Sequence, residues 1–210
     1  GGLNVVTLGV CPTPLTYFSI FHLNLNGGIM VTGSHNPSDY NGFKICVGND
    51  TIHGHQIQDI RERMTAIQSG KITFNGGMGT VTSFEIIPAY IEHLVKHTPR
   101  LRSLKVVLDS GNGTASTVAP ELFKKLGAEV IPLYCELDGR FPNHHPDPTV
   151  PENLKDLVAE VKRHGAAFGV GFDGDSDRIG LVDESGRIIY GDELMVLFSR
   201  DVLKNHPGAT

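Results

Sequence analysis

The segment between residues 104 and 134 constrains the fold most, because strand, helix and strand patterns alternate along it. Residues 105–108 form an apolar run typical of a buried strand, residues 115–126 form a helix that Gly127 ends, and residues 129–134 form a second strand. Two strands joined by a helix lie parallel, with a right-handed crossover. The sequence therefore predicts an α/β fold in which helices cover a mainly parallel sheet.

A loop of alternating carboxylates follows the next predicted strand, residues 166–172. Asp173, Asp175 and Asp177 stand at every second position of this loop. Three acidic groups so close together repel one another unless a cation neutralises them, and oxygen ligands suit Mg²⁺ or Ca²⁺. The carboxyl end of a parallel strand is also where α/β sheets place their ligands. We expect a metal site here.

An EF-hand is the alternative for this acidic loop, because Glu184 falls at position 12 of a loop that starts at Asp173. Position 6 of an EF-hand needs glycine for its sharp turn, and Arg178 occupies that position. The flanking residues also follow strand patterns, whereas an EF-hand needs helices. The sequence therefore favours Mg²⁺, which uses fewer protein ligands and often pairs with a phosphate oxygen.

A second polar loop lies within residues 28–45, which read GIMVTGSHNPSDYNGFKI. Ile29 to Val31 predict a short buried strand, which then breaks into the polar residues 32–37. Asn41-Gly42 is a second turn signal, and residues 43–47 alternate like a strand, so Lys44 should project from the face opposite Phe43. A serine at a strand end beside a histidine and a lysine suits covalent chemistry, but a polar turn between two strands is the more common explanation of such a stretch, so the loop needs support from elsewhere in the chain.

The rest of the chain continues the α/β pattern. We predict a strand at 3–8 and a strand pair at 179–182 and 187–190. Helices are predicted at 15–23, 57–67, 153–164 (capped by Asn153) and 192–203, and the segment at 83–94 enters a further helix. Residues 70–79 are predicted to be a glycine-rich turn region. The turn at Gly111-Asn112-Gly113 either binds phosphate or is purely structural.

These elements predict two consecutive three-layer α/β domains with mixed, mainly parallel sheets. The first spans residues 1–98, the second spans 99–188, and residues 189–210 begin a truncated third domain. Because the chain opens directly on a buried-type strand, we expect the first domain to be N-terminally incomplete.

Composition excludes several classes of protein. The 210 residues carry a net charge of −5 and no basic cluster, which argues against a nucleic-acid partner. No apolar run approaches the ~18 residues that span a bilayer, so no membrane partner is expected. The three cysteines are widely spaced, which favours free thiols in a reducing cytoplasm.

The two polar loops together resemble the phosphohexomutases, and most closely the bacterial phosphomannomutase/phosphoglucomutase type. The resemblance rests on TGSHNP with NGFKI downstream and on DGDSDR, and it extends to GVCPTP, DSGNG and FPNHHPDP. It covers nearly the whole chain. Ser176 departs from the pattern, because the family usually has glycine or alanine there.

The resemblance implies a fold, a reaction and a site. Ser34 would be held as a phosphoserine, and Asp173, Asp175 and Asp177, with a phosphoserine oxygen, would bind Mg²⁺. The reaction would interconvert hexose 1-phosphate and 6-phosphate of mannose or glucose, with glucose 1,6-bisphosphate as intermediate and activator. The substrate would be a hexose phosphate, and C-terminal domains of the same enzyme would complete the site.

Lys44, His35 and Arg178 have two interpretations each. Lys44 is a candidate for proton transfer with the sugar hydroxyl, or an exposed strand lysine. His35 either orients the loop or the transferring phosphate, or is an ordinary loop histidine. Thr32 and Asn36 are expected to fix the turn and the phosphate. Arg178 either contacts phosphate or anchors the loop through a carboxylate. His144 and His145 are expected to be structural.

Two alternatives stay open on the sequence alone. The chain could be part of a phosphoglucosamine mutase, or a non-catalytic phosphate- and metal-binding module of the same ancestry. It contains no GEMSGH-like or RxSGTEP-like stretch, for which the family is known. We therefore expect the chain alone to be poorly active as a mutase.

Overall fold

The computed structural model describes residues 2–37, 39–73 and 76–209. Within them the chain forms strands β1 Val5–Thr7, β2 Gly27–Thr32, β3 Gly42–Val47, β4 Asp50–Thr51, β5 Val81–Ser83, β6 Lys105–Asp109, β7 Glu129–Leu133, β8 Phe168–Phe172, β9 Ile179–Asp183 and β10 Ile188–Ile189. The helices are α1 Pro14–His22, α2 His55–Gln68, α3 Ile86–His97, α4 Ala119–Lys125, α5 Lys155–His164 and α6 Gly191–Asn205.

A five-stranded sheet organises the C-terminal half, with strand order β10-β9-β8-β6-β7. Strands β7, β6 and β8 run parallel, as the strand–helix–strand pattern predicted, and β8–β9 and β9–β10 are antiparallel. The predicted pairing of the strands near residues 179–182 and 187–190 is confirmed. The acidic loop therefore leaves the carboxyl end of the central strand, β8.

Helices cover both faces of this sheet. Successive residues of a strand point to opposite faces: Val107 packs with Leu157 and Val161 of α5, whereas Val106 packs in a cluster with Ala119 of α4. A Cβ at Gly169 of β8 would lie 2.6 Å from side-chain atoms of Leu157 and Val161. Glycine in the central strand thus lets α5 pack close to the sheet.

The N-terminal half has two smaller sheets. Strands β1 and β5 form a parallel pair, and β2, β3 and β4 form an antiparallel ladder. Helices α1 and α3 pack through Leu15, Ile86 and Ile91 in a buried cluster that also includes Val118, from the turn before α4. The two halves therefore share a hydrophobic cluster.

Three details differ from the sequence predictions. The strand at Ile29–Val31 exists, but its apolar side chains are not buried, since Ile29 is 64% and Val31 58% exposed. The predicted helix at 115–126 is a 3-10 turn, Thr114–Thr117, followed by α4, because Pro120 lacks the N–H that would continue the helix. Asn153 does not cap α5; its side-chain amide donates to the Asp147 carbonyl instead.

None of the helices in the described ranges is both long enough and apolar enough to cross a membrane.

Candidate functional site

The acidic loop folds around the carboxylate of Asp173, which is fully buried at the end of β8. Its Oδ1 accepts hydrogen bonds from the backbone N–H groups of Asp177 and Arg178, each at 3.0 Å. Ser176 has a left-handed φ of 63°, a conformation that glycine adopts without steric cost. This geometry explains why glycine suits that position, and Ser176 occupies it at the expense of some strain.

The serine loop turns at the end of β2. The Ser34 N–H donates to Thr32 Oγ1 at 2.8 Å, and the Asn36 N–H donates to the Gly33 carbonyl at 2.8 Å. Ser34 itself has a left-handed φ of 53°. A non-glycine residue in that region costs free energy and is common at functional sites. The loop therefore places its serine in a strained turn fixed by Thr32.

The structure brings the serine and the acidic loop together, although 139 positions separate Ser34 from Asp173. Ser34 Oγ donates to Asp173 Oδ2 at 2.9 Å. The backbones also meet, because a Cβ at Gly174 would lie only 2.3 Å from the Ser34 carbonyl oxygen. The structure thus brings the serine hydroxyl next to a carboxylate of the acidic loop, and the absence of a side chain at Gly174 permits this approach.

Lys44 reaches the same carboxylates from β3. It pairs across the ladder with Met30, and its Nζ lies 2.6 Å from Asp175 Oδ2 and 2.5 Å from Asp177 Oδ2. Burial lowers the pKa of Lys44, but the two carboxylates outweigh it and raise the pKa above its usual value. In this arrangement Lys44 is a protonated counter-ion of the acidic loop.

The three carboxylates can hold a divalent cation. One oxygen from each of Asp173, Asp175 and Asp177 lies within 4.8 Å of the others. Burial, and then the charge of Asp175, raise the pKa of Asp173. Oδ1 of Asp175 is buried and has no hydrogen-bond partner among the described residues. Two buried carboxyls in this relation need a shared proton or a cation, and oxygen donors of this kind fit Mg²⁺.

Thr13 is a site residue that the sequence analysis missed. Its Oγ1 donates to Asp175 Oδ2 at 2.7 Å, and its backbone N–H donates to the Asp175 carbonyl at 2.9 Å. Thr13 is fully buried. The only signal for it was the CPTP segment, where a threonine stands between Pro12 and Pro14; nothing in that pattern indicates its distant partner.

The Gly111-Asn112-Gly113 turn after β6, together with Thr114, packs against the acidic loop. The Thr114 N–H donates to the Gly174 carbonyl at 3.0 Å, and Thr114 Oγ1 lies 3.1 Å from Ser176 Oγ. A Cβ at Gly113 would lie 2.7 Å from the Gly174 carbonyl oxygen. These contacts agree with a purely structural role for the Gly111-Asn112-Gly113 turn, because the Thr114 N–H donates to the Gly174 carbonyl and is therefore not free to bind phosphate.

His35 and Arg178 contact each other at the rim of the site. Arg178 Nη1 lies 2.5 Å from His35 Nδ1, which lies 3.5 Å from Ser34 Oγ. Arg178 Nε is 3.9 Å from Asp173 and 4.0 Å from Asp177. The guanidinium is therefore near both carboxylates and directed at the serine loop. Asn36 is exposed, and its N–H closes the turn.

The two neighbouring histidines of the proline-rich loop have different surroundings. His144 Nε2 lies 3.0 Å from Oδ2 of Asp109, a buried carboxylate at the end of β6. This contact ties the loop to the sheet and corresponds to the structural role that the sequence suggested. The His145 ring lies 6.3 Å from the His35 ring, centre to centre, so His145 approaches the rim without a hydrogen bond to His35 among the described contacts.

A cleft of about 300 Å³ opens beside Ser34. Its lining includes Cys11, Tyr40, Phe141 and Asp175. The cleft therefore reaches the serine and borders the buried part of the acidic loop.

Two family models match the chain. Residues 1–71 match phosphoglucomutase/phosphomannomutase, alpha/beta/alpha domain I, and residues 88–186 match alpha/beta/alpha domain II of the same family. Ser34 and Lys44 fall in the first match, and the three aspartates fall in the second.

Relatives and solved structures agree with these matches. The chain is 49% identical over 208 residues to a phosphomannomutase/phosphoglucomutase of Pseudomonas aeruginosa and 44% identical over 208 residues to a phosphoglucomutase of Neisseria gonorrhoeae. The crystal structure of a phosphoglucomutase/phosphomannomutase family protein from Burkholderia thailandensis superposes with a TM-score of 0.87 at 40% identity, covering 99% of this chain and 46% of that one.

The alignments cover 99% of this chain but only 44% of the P. aeruginosa protein and 45% of the N. gonorrhoeae protein. The chain thus spans somewhat less than half the length of these relatives. Its two polar loops, its paired α/β units and the two domain matches agree: the chain belongs to the α-D-phosphohexomutase superfamily.

Proposed function

We propose that this chain is the part of a hexose phosphate mutase that carries the phosphoserine and the metal ion. The enzyme would interconvert the 1-phosphate and 6-phosphate of mannose or glucose. The observation that carries the proposal is the 2.9 Å contact between Ser34 Oγ and Asp173 within a cluster of three carboxylates. The names of the relatives favour mannose and glucose over glucosamine.

The donor set supports Mg²⁺ as the resident cation. Asp173, Asp175 and Asp177 supply three carboxylates, and Oδ1 of Asp175, which has no hydrogen-bond partner among the described residues, is a buried acceptor suited to a cation. A phosphoserine adds about −1.5 to −2 charge beside these acids. When bound, Mg²⁺ would neutralise charge on the transferring phosphoryl group. The chain's own contribution is to hold the three carboxylates and the serine at one point.

The proposed phosphoryl transfer starts with the phosphoryl group on Ser34. The bond between phosphorus and Ser34 Oγ breaks, a bond forms between phosphorus and the free hydroxyl oxygen of the sugar phosphate, and the hydroxyl proton passes to a base. The product, glucose 1,6-bisphosphate or its mannose counterpart, returns its other phosphoryl group to Ser34 Oγ. Such transfers depend mainly on positioning and electrostatics, which agrees with a serine fixed in a strained turn.

Lys44 is the proposed proton-transfer residue. Its ammonium lies against Asp175 and Asp177, whose charge raises its pKa. A divalent cation on the same carboxylates would neutralise that charge and lower the pKa of Lys44, which favours a neutral amine able to accept the hydroxyl proton. The role of Lys44 thus depends on the cation.

The rim residues are proposed to hold the phosphoryl group. Arg178 Nη1 lies 2.5 Å from His35 Nδ1. Together the two side chains would bind the phosphate oxygens during phosphoryl transfer. Thr32 and Asn36 fix the turn through their hydrogen bonds within the loop. Sugar selection would fall to the part of the relatives' length that this chain does not span, and the three free cysteines support a cytoplasmic location.

Mass spectrometry tests this proposal. After incubation with glucose 1,6-bisphosphate, the chain should gain about 80 Da, the mass of one phosphoryl group, on the Ser34 peptide. Ser34→Ala should show no gain, and Ser69→Ala, which removes an exposed serine at the end of α2, should gain it like the unmodified chain. Absence of the adduct would favour a non-catalytic module of the same ancestry.

A turnover assay tests the consequence of the short chain. We expect the isolated chain to convert glucose 1-phosphate very slowly even when Ser34 is phosphorylated, because the relatives are more than twice as long. Turnover by the isolated chain at the rate of a full-length relative would show that the remaining length of the relatives is not needed for catalysis.

A further inference from the structure

We infer that Thr13 is a positioning residue that orients the Asp175 carboxylate toward the divalent cation. The inference rests on the proposed function, because it concerns the same metal site. Thr13 lies before α1, within the domain I match, and Asp175 lies in the domain II match. The residue therefore connects the region of the serine loop with a ligand of the metal.

Thr13 holds Asp175 at two points. Its Oγ1 donates to Asp175 Oδ2 at 2.7 Å, and its backbone N–H donates to the Asp175 carbonyl at 2.9 Å. Both residues are buried, with exposed fractions of 0% for Thr13 and 2% for Asp175. A hydrogen bond to a buried carboxylate is stronger than one between neutral groups. These two bonds fix the backbone and the side chain of Asp175 together.

The bonds also divide the two carboxylate oxygens of Asp175 between different tasks. Oδ2 is engaged by Thr13 at 2.7 Å and by Lys44 at 2.6 Å. Oδ1 has no hydrogen-bond partner among the described residues, although it is buried. With Oδ2 held by Thr13, rotation of the carboxylate is restricted and Oδ1 remains the oxygen free to bind a cation. Partners of metal ligands commonly act in this way.

Hydrogen bonds hold the backbone around Thr13. Pro14 begins α1, and Thr13 before it has a helical backbone with φ −51° and ψ −41°, a region that a following proline disfavours. The Pro12 carbonyl accepts the Leu15 N–H at 3.0 Å, and the Thr13 carbonyl accepts the Thr16 N–H at 3.0 Å. The hydroxyl is thus presented to Asp175 from a fixed turn, with little conformational freedom to lose when the metal binds.

Mg²⁺ titration calorimetry on the full 210-residue chain tests the inference. Thr13→Val keeps the shape of the side chain and removes its hydroxyl, and we expect it to weaken Mg²⁺ binding by about 10- to 100-fold. Thr13→Ser retains the hydroxyl and should bind near the wild-type affinity. Thr16→Val is the matched control, because Thr16 is a buried threonine three positions away with no side-chain bond to the acidic loop among the described contacts.

Each outcome decides the inference. Equal Mg²⁺ affinity for Thr13→Val and wild type overturns it, as does equal weakening in Thr13→Ser or in Thr16→Val. If Thr13→Val does not fold by circular dichroism, Thr13→Cys supplies the weak-donor variant, and wild-type affinity in it overturns the inference. A wild-type chain that binds no Mg²⁺ overturns the proposed metal site itself, whereas Ser34 phosphorylation would still be tested separately.

Discussion

The strand that carries the acidic loop lies in the middle of a five-stranded sheet, whereas the strand that carries the serine loop lies at the edge of a three-stranded ladder. Residues around β8 are buried under α5, but Ile29 and Val31 of β2 are largely exposed. Two backbone N–H groups donate to the Asp173 carboxylate, whereas the backbone N–H of Ser34 donates to one threonine hydroxyl. Ser34 also has a strained, left-handed φ.

The difference indicates a division of labour between the two loops. A metal site needs ligands at fixed distances, and the core of a sheet supplies that rigidity. A serine that exchanges a phosphoryl group with a substrate must be reachable, and an exposed ladder supplies access. The meeting point of the two is the close approach of Gly174 to Ser34.

The largest expected effect on stability is at Asp173. Asp173→Ala removes the acceptor of two loop N–H groups in a buried position, so the free energy of unfolding should fall by about 3 kcal/mol. Ser34→Ala removes one hydrogen bond and should cost about 1 kcal/mol or less. Urea denaturation of both variants compares the two loops. Equal losses would show that they are held equally firmly.

A smaller but more specific effect is expected at Gly174. Gly174→Ala would place a methyl group 2.3 Å from the Ser34 carbonyl oxygen, so the loops must separate at a cost of about 1–3 kcal/mol. Ser34 phosphorylation by glucose 1,6-bisphosphate, followed by mass spectrometry, should become slower. Gly191→Ala is the matched control, because its Cβ would meet nothing within 4 Å and it does not line the cleft beside Ser34. Wild-type phosphorylation of Gly174→Ala would contradict the close contact.

The His144–Asp109 pair gives a pH-dependent comparison that involves no metal ligand. Burial lowers the pKa of His144, but Asp109 outweighs it and raises the pKa above 6.5. The folded chain therefore binds more protons than the unfolded chain above pH 6.5, and the pair's stabilisation is full below that pH and is lost as pH rises through the folded-state pKa.

Accordingly, His144→Asn should lower the free energy of unfolding by about 1–2 kcal/mol at pH 6 and by less at pH 9. Denaturation curves at both pH values measure this. His55→Gln, an exposed histidine at the start of α2, should show no such difference. A loss in His144→Asn that grows with pH would contradict the assignment.

The smallest effect is expected on the exposed side of β2. Val31→Thr should change the free energy of unfolding by about 0.5 kcal/mol or less, because the side chain is 58% exposed. Val107→Ala, in fully buried β6, should cost about 2–3 kcal/mol. Parallel thermal denaturation of the two variants checks the contrast. A large loss in Val31→Thr would show that this face is covered in solution.

Sequence patterns predicted the strands of the five-stranded sheet well, because they are apolar runs and the helices that join β6, β7 and β8 end close to Gly127 and Gly165. Burial around β2 was predicted wrongly, since an apolar run identifies a strand but not what covers it. The short strands β4 and β5 were not predicted. Their pairing depends on partners far along the chain, which periodicity does not report.

In the candidate site, too, local patterns were predicted and long-range contacts were not. The serine and the three aspartates were found because each stands in a dense local pattern after a strand. Thr13 was missed, because its importance comes from a contact across 162 positions. The preference for a small residue at 176 became explicable only from the left-handed backbone there. Local motifs identify reactive groups, whereas supporting contacts need the fold.

The native thiols have a practical consequence for studying how the two loops move. Burial raises the pKa of both Cys11 and Cys135, and Cys46 is 4% exposed. Thiolate is the reactive form of cysteine, so these side chains should react slowly with maleimide dyes. Single cysteines introduced at exposed positions of each loop would then label selectively, and fluorescence energy transfer between them would report the distance between the loops during Ser34 phosphorylation while all three native cysteines are retained.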